Sequence, residues 1–125
     1  MSDRALSLMG LARRAGKLAI GEESCGISVR TGKARVLFLA SDASDNASRR
    51  AKGYAGDRIP LVRLPNTKEE LSLALGKTGC SMTAVLDLGL ACEIVSALAE
   101  SVGGLEEMLA ELETRRDKAK RRRKP

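Results

Sequence analysis

Segments with helical apolar spacing alternate with short apolar runs of strand length along most of this chain. That alternation constrains the fold more than any other feature. The most telling run is RVLFLA at 35–40, which is almost continuously apolar. A strand with no polar face predicts a central position, covered by helices above and below. Three shorter runs flank it in sequence: LAI at 18–20, PLVRL at 60–64 and TAVL at 83–86. Proline at position 60 suits a strand start, where its missing N–H costs least. Strands separated by helices predict a mostly parallel or mixed sheet, and so an α/β fold: a three-layer α-β-α sandwich around a small mixed sheet.

The helices announce their ends. Ser2 or Asp3 can cap the first, and Ala5, Leu8, Met9 and Ala12 form its apolar stripe. Arg13 and Arg14 suit its C-terminal dipole, and Gly16 stops it. Gly21 turns the chain into a second helix over 22–31. Glu22 and Glu23 match the dipole of its first turn, and Gly32 closes it. The stretch SDASD at 41–45 supplies caps for a third helix marked by Ala47, Ala51 and Tyr54. Thr67 and Glu70 form a capping box for a fourth, which carries Leu71, Ala74 and Leu75 and ends at Gly76. Asp87 caps a fifth, with Leu90, Ile94, Ala97 and Leu98 on its stripe.

Gly103-Gly104 is the clearest break. Beyond it Leu105, Met108, Leu109 and Leu112 recur at i, i+3, i+4 and i+7, an amphipathic helical extension whose stripe must be covered by its own domain or by a partner. The division is then a domain over 1–102, the extension over 103–113 and a basic tail over 114–125. The tail holds Arg115, Arg116, Lys118, Lys120, Arg121, Arg122, Arg123 and Lys124 against one acid, Asp117. Its charge of +7 exceeds the +6 of the whole chain, so the rest is close to neutral. Eight cations in twelve residues predict affinity for a polyanion through counterion release.

Several function classes are excluded. The chain has no histidine, so no Ser-His-Asp or Cys-His system. It has neither a dinucleotide fingerprint nor a phosphate-binding P-loop. Helix capping accounts for Asp42, Asp45 and Asp87, and dipole matching accounts for Glu22 and Glu23. Cys25, Cys80 and Cys92 are too widely spaced for a zinc site or a disulfide framework. They read as buried small apolar side chains in a reducing cytoplasm, with no cofactor and no metal. No apolar run reaches the ~20 residues of a membrane span. Phe38 and Tyr54 are the only aromatics, which argues against base stacking on an aromatic sheet face. Gly21 opens a helix close to Arg13, Arg14 and Lys17, where free amides and cations suit phosphate.

LMGLARRAGKLAIGEES at 8–24 and GKARVLFLASDAS at 32–44 resemble the kink-turn RNA-binding ribosomal proteins of the archaeal L-seven-Ae and eukaryotic L-thirty-e type, and most of all the bacterial YlxQ branch. IPLVRL and NTKEELSLALGK are similar to a strand and helix of that family. The resemblance runs from about Asp3 to Glu100. It implies that a Gly-x-Asn-Glu-x-x-Lys segment opening the second helix inserts into RNA. The glycine falls on Gly21. The asparagine, glutamate and lysine positions fall on Glu23, Ser24 and Ile27, three departures that predict weak binding to a standard kink-turn. A second RNA-contacting loop falls on Gly79, Cys80, Ser81 and Met82.

Together these readings predict a non-catalytic protein that binds structured or ribosomal RNA. Its site would join Lys17, Gly21, Glu22, Glu23, Ser24, Ile27, Lys33, the loop at 79–82 and the basic tail. Two alternatives remain: an adaptor that docks a protein partner, or self-associates, through Leu105, Met108, Leu109 and Leu112, and an accessory RNA-binding domain for an RNA-modifying enzyme.

Overall fold

The computed structural model describes residues 4–123, with the side chain of Arg123 outside the description. The chain runs α1 (Arg4–Arg14), β1 (Leu18–Ile20), α2 (Glu22–Arg30), β2 (Val36–Leu39), α3 (Asp45–Ala55), β3 (Leu61–Arg63), α4 (Lys68–Leu75), β4 (Met82–Val85), α5 (Leu88–Ala99) and α6 (Glu106–Arg123). The capping residues at 2 and 3 lie outside the described residues.

The sheet order is β1-β4-β2-β3. Only β2 and β3 run parallel; β4 is antiparallel to both of its neighbours. The sheet is therefore mixed, and not mostly parallel. Alternation of helix and strand records order along the chain but not direction. The short α4 returns β4 to the sheet centre pointing the other way. As its composition predicts, β2 is buried along its whole length.

Strand residues alternate between two cores. Val36, Phe38 and Val85 pack with α1, α4 and α5, with Leu105 just before α6, and with Leu112 on it. Leu37, Leu39, Met82 and Ala84 pack with α2 and α3. The result is a three-layer sandwich with α1, α4, α5 and α6 on one face and α2 and α3 on the other. Gly26 of α2 lets Tyr54 of α3 come close enough that a Cβ there would meet the ring at 2.9 Å.

Thr67 accepts from the Glu70 amide (3.2 Å), and the Glu70 carboxylate accepts from the Thr67 amide (2.9 Å), completing the capping box. Asp87 caps α5 by accepting from the Leu90 amide at 2.9 Å. Ser44 caps α3, with Asp45 as its first helical residue. Asp42 accepts instead from the Lys68 amide at 2.8 Å, tying the β2–α3 loop to the start of α4.

From Glu106 to Arg123 the extension and the described part of the basic tail form one continuous helix, α6, about 27 Å long. Leu112, 1% exposed, anchors its middle, and an exposed Arg115–Glu111 pair at 2.7 Å links successive turns of the helix. Leu105 is also buried, and Met108 and Leu109 pack half-buried on the same cluster. The apolar stripe is thus covered by α5 and its surroundings.

Candidate nucleic-acid interface

Two distant sequence segments meet at one end of the sheet. The Gly21 amide donates to the Met82 carbonyl at 2.9 Å, so the start of α2 is pinned to the start of β4. Gly21 has φ 96°, a conformation that favours glycine, and no side chain caps α2 there. Beyond it Glu23, Ser24 and Ile27 are exposed, Ile27 by 46%. Glu22 is drawn aside: its carboxylate pairs with Arg50 of α3 at 3.1 Å. Arg50 is a neighbour that sequence spacing could not reveal.

The loop before β4 lies beside this helix start. Gly79 is exposed with φ 72°, and Ser81 is partly exposed. Cys80 and Met82 are 2% and 0% exposed, so their side chains fill the core and only their backbone can face a ligand. The Cys80 amide donates to the Ser72 hydroxyl of α4 at 3.0 Å, which shapes the loop. Lys77 and Thr78, just before it, are exposed and add polar groups that the sequence reading left out.

The remaining expected residues lie elsewhere. Lys17 immediately precedes β1, and its carbonyl accepts from the Leu86 amide just past β4. Lys33 follows α2, with its amide donating to the Ser28 carbonyl. Leu18 pairs with Val85, and Ile20 with Thr83. Lys17 and Gly21 are therefore at opposite ends of the sheet, roughly 13 Å apart for a four-residue span. The basic part of α6 joins Lys17 and Lys33 at the far end. The expected composite site is thus divided between two ends of the molecule.

At that far end Arg30, Arg35, Arg58, Arg115, Lys118 and Arg122 line a concavity of ≈ 500 Å³. A second concavity of ≈ 390 Å³ beside it holds Lys17, Arg35, Arg116 and Lys120, with Asp87. Arg121 is exposed on α6; the side chain of Arg123 and all of Lys124 lie outside the described residues.

Burial leaves the thiols inert. Desolvation pushes Cys25 up to about 12, helped by Cys80 and Glu22 nearby, and also raises Cys80 and Cys92. Among the described residues, no three side chains gather as metal ligands, and no helix is long and apolar enough to cross a membrane.

The family model of the ribosomal protein L7Ae/L30e/S12e/Gadd45 family matches residues 3–95, from α1 into α5. The chain belongs to this family. Among its relatives, the RNA-binding protein YlxQ of Enterococcus faecium is 47% identical over 75 residues, covering 59% of this chain and 72% of that protein. The RNA-binding protein YlxQ of Bacillus subtilis (strain 168) is 32% identical over 95 residues, covering 73% of this chain and 91% of that one. A protein of unknown function from Bacillus halodurans C superposes with a TM-score of 0.70 at 31% identity, over 80% of this chain and all of its own. The Giardia lamblia 15.5kD RNA binding protein shares the fold, with a TM-score of 0.63 at 18% identity over 82% of this chain and 93% of its own. Within this L7Ae/L30e-type chain, α6 lies wholly beyond the matched residues.

Proposed function

We propose that this L7Ae/L30e-type protein is a non-catalytic RNA-binding protein. Its base-reading surface would be the end of the sheet where α2 begins. The observation that carries this reading is the Gly21–Met82 hydrogen bond, which brings the α2 start and the 79–82 loop into one surface. Two relatives bear the name RNA-binding protein, which favours the same ligand class. Three buried free cysteines suit a reducing cytoplasm.

The target is a structured RNA, and the residues at the α2 start argue against tight binding of a standard kink-turn. Glu23 and Ser24 are exposed where an asparagine and a glutamate would read bases. Ile27 presents a hydrocarbon where a lysine would meet phosphate. An exposed carboxylate must accept from a base donor or be repelled by phosphate. Only Glu22 is relieved of this, through Arg50.

Titration of a kink-turn RNA and a duplex of equal length at fixed ionic strength tests the reading. Wild type should bind both weakly with little preference. Ile27→Lys should strengthen kink-turn binding by roughly tenfold or more, the value of a charge-assisted phosphate contact of about 1.5–3 kcal/mol. Glu23→Asn should act in the same direction. Tight selective binding by wild type would overturn the weak-binding reading, and equal weak binding by all three proteins would place the surface elsewhere.

A further inference from the structure

We propose that the far end of the domain, where α6 crosses the mouths of β1 and β2, is a second RNA surface that grips the sugar–phosphate backbone of a helical segment. This rests on the RNA-binding reading but concerns a different part of the molecule. Of the six cations that line the larger concavity, Arg115 pairs with Glu111, and the other five converge from four separate segments: Arg30 at the end of α2, Arg35 before β2, Arg58 before β3, and Lys118 and Arg122 on α6. None of these five has a carboxylate partner among the described residues. Like charges gathered without counterions repel one another, and a polyanion relieves that repulsion while releasing its own condensed ions.

The chemistry of the lining favours phosphate over bases. Its polar side chains are all cationic, and the residues between them, Val29, Gly32, Ile59 and Ala119, offer neither amide side chains nor rings. Such a surface holds a backbone without reading sequence. Lys118 and Arg122 are four apart on one face of a helix, about 6 Å along its axis. Leu112, less than two turns before Lys118, is buried in the core, so these cations stand on an anchored helix and not on free chain.

The separation makes this a second surface and not an enlargement of the first. Helix α2 spans nine residues, about 13 Å, between Gly21 at one end and the concavity at the other. An RNA segment seated at the α2 start leaves this concavity open to another segment, from the same molecule or a second one.

The experiment titrates a plain sixteen-base-pair RNA duplex, without internal loops, across a series of salt concentrations. A polyglutamate peptide is titrated in parallel. The variants are Arg30→Gln/Arg35→Gln/Arg58→Gln, which leaves α6 untouched, and Lys118→Gln/Arg122→Gln, which leaves the body untouched. Circular dichroism checks that each is folded. The triple variant should lower the log–log salt slope for the duplex by about 2–3, at ~0.7–0.9 per lost phosphate contact, and the double variant by about 1–2. If both folded variants keep the wild-type slope, the surface is refuted and RNA binding at the α2 end stands. Polyglutamate bound more tightly than the duplex, and weakened by the same substitutions, would refute it in favour of an acidic protein partner. Wild type that binds neither duplex nor kink-turn RNA would refute both readings. Joining a duplex carried on the same RNA as a kink-turn should raise affinity in wild type but not in the triple variant; separate molecules brought together would mark the bridging source.

Discussion

The ring of Tyr54 on α3 lies so close to Gly26 on α2 that a Cβ at position 26 would stand 2.9 Å from its Cζ. The helix bearing the candidate base-reading residues is therefore seated on α3 by a glycine–ring contact. In an exposed helix a glycine-to-alanine change would stabilise by up to ~1 kcal/mol. Here overpacking should dominate, at about 1–3 kcal/mol, so Gly26→Ala should lower stability in urea denaturation. In a Tyr54→Leu background the same change should be neutral or stabilising. Destabilisation of equal size in both backgrounds would show that the ring is not what excludes the Cβ.

Thr83 sits at the centre of the sheet, fully buried, and its hydroxyl has no hydrogen-bond partner among the described residues. A buried unsatisfied hydroxyl costs about 1–3 kcal/mol. Thr83→Val keeps the shape and removes the orphan group, so the unfolding free energy should rise by an amount in that range, and the urea midpoint should rise with it. A lower midpoint would mean that the hydroxyl is satisfied in solution.

Leu112 is the α6 residue most deeply set into the core, at 1% exposure. Leu112→Ala should cost about 2–4 kcal/mol through lost burial and a residual cavity. Because the stripe packs on its own α5, the loss should appear as a lower melting temperature independent of protein concentration. A change in solution mass in place of a stability loss would show that the stripe is an interface between chains.

Cys25 makes stability depend on alkaline pH. Its thiol is pushed up to about 12 by burial, above the ordinary 9.0 that it has in an unfolded chain. The neutral form is favoured in the folded state, so its contribution is complete below pH 9 and is lost as pH rises toward 12. Within that window the unfolded chain has released a proton that the folded one keeps, and stability should fall by roughly 1.4 kcal/mol per pH unit from this group. Denaturation at several pH values should show a shallower decline in Cys25→Ala than in wild type. Parallel declines would mean that Cys25 titrates alike in both states.

The sequence by itself determined the elements, the layers and the family. RVLFLA has no polar face and therefore had to lie between two helical layers. Thr67-x-x-Glu70 and Asp87 had to cap helices, because their side chains satisfy amides that the first turn leaves free. Local periodicity and capping act over a few residues, and a few residues suffice to read them. Strand direction was not legible in this way, nor was the continuity of α6 through its basic end, which depends on Leu105 and Leu112 finding α5. The charge of the tail was legible, but tertiary structure alone decided which cations of the body stand beside it. Arg30, Arg35 and Arg58 are scattered in a nearly neutral stretch, and only the sheet register brings them to one end beside α6. The same register put Lys17 and Gly21, four residues apart, at opposite ends of a strand. It turned Cys80 and Met82 inward and left Gly79 and Ser81 at the surface. Charge and exposure depend on contacts between residues far apart in the chain, and those contacts exist only once the sheet has closed.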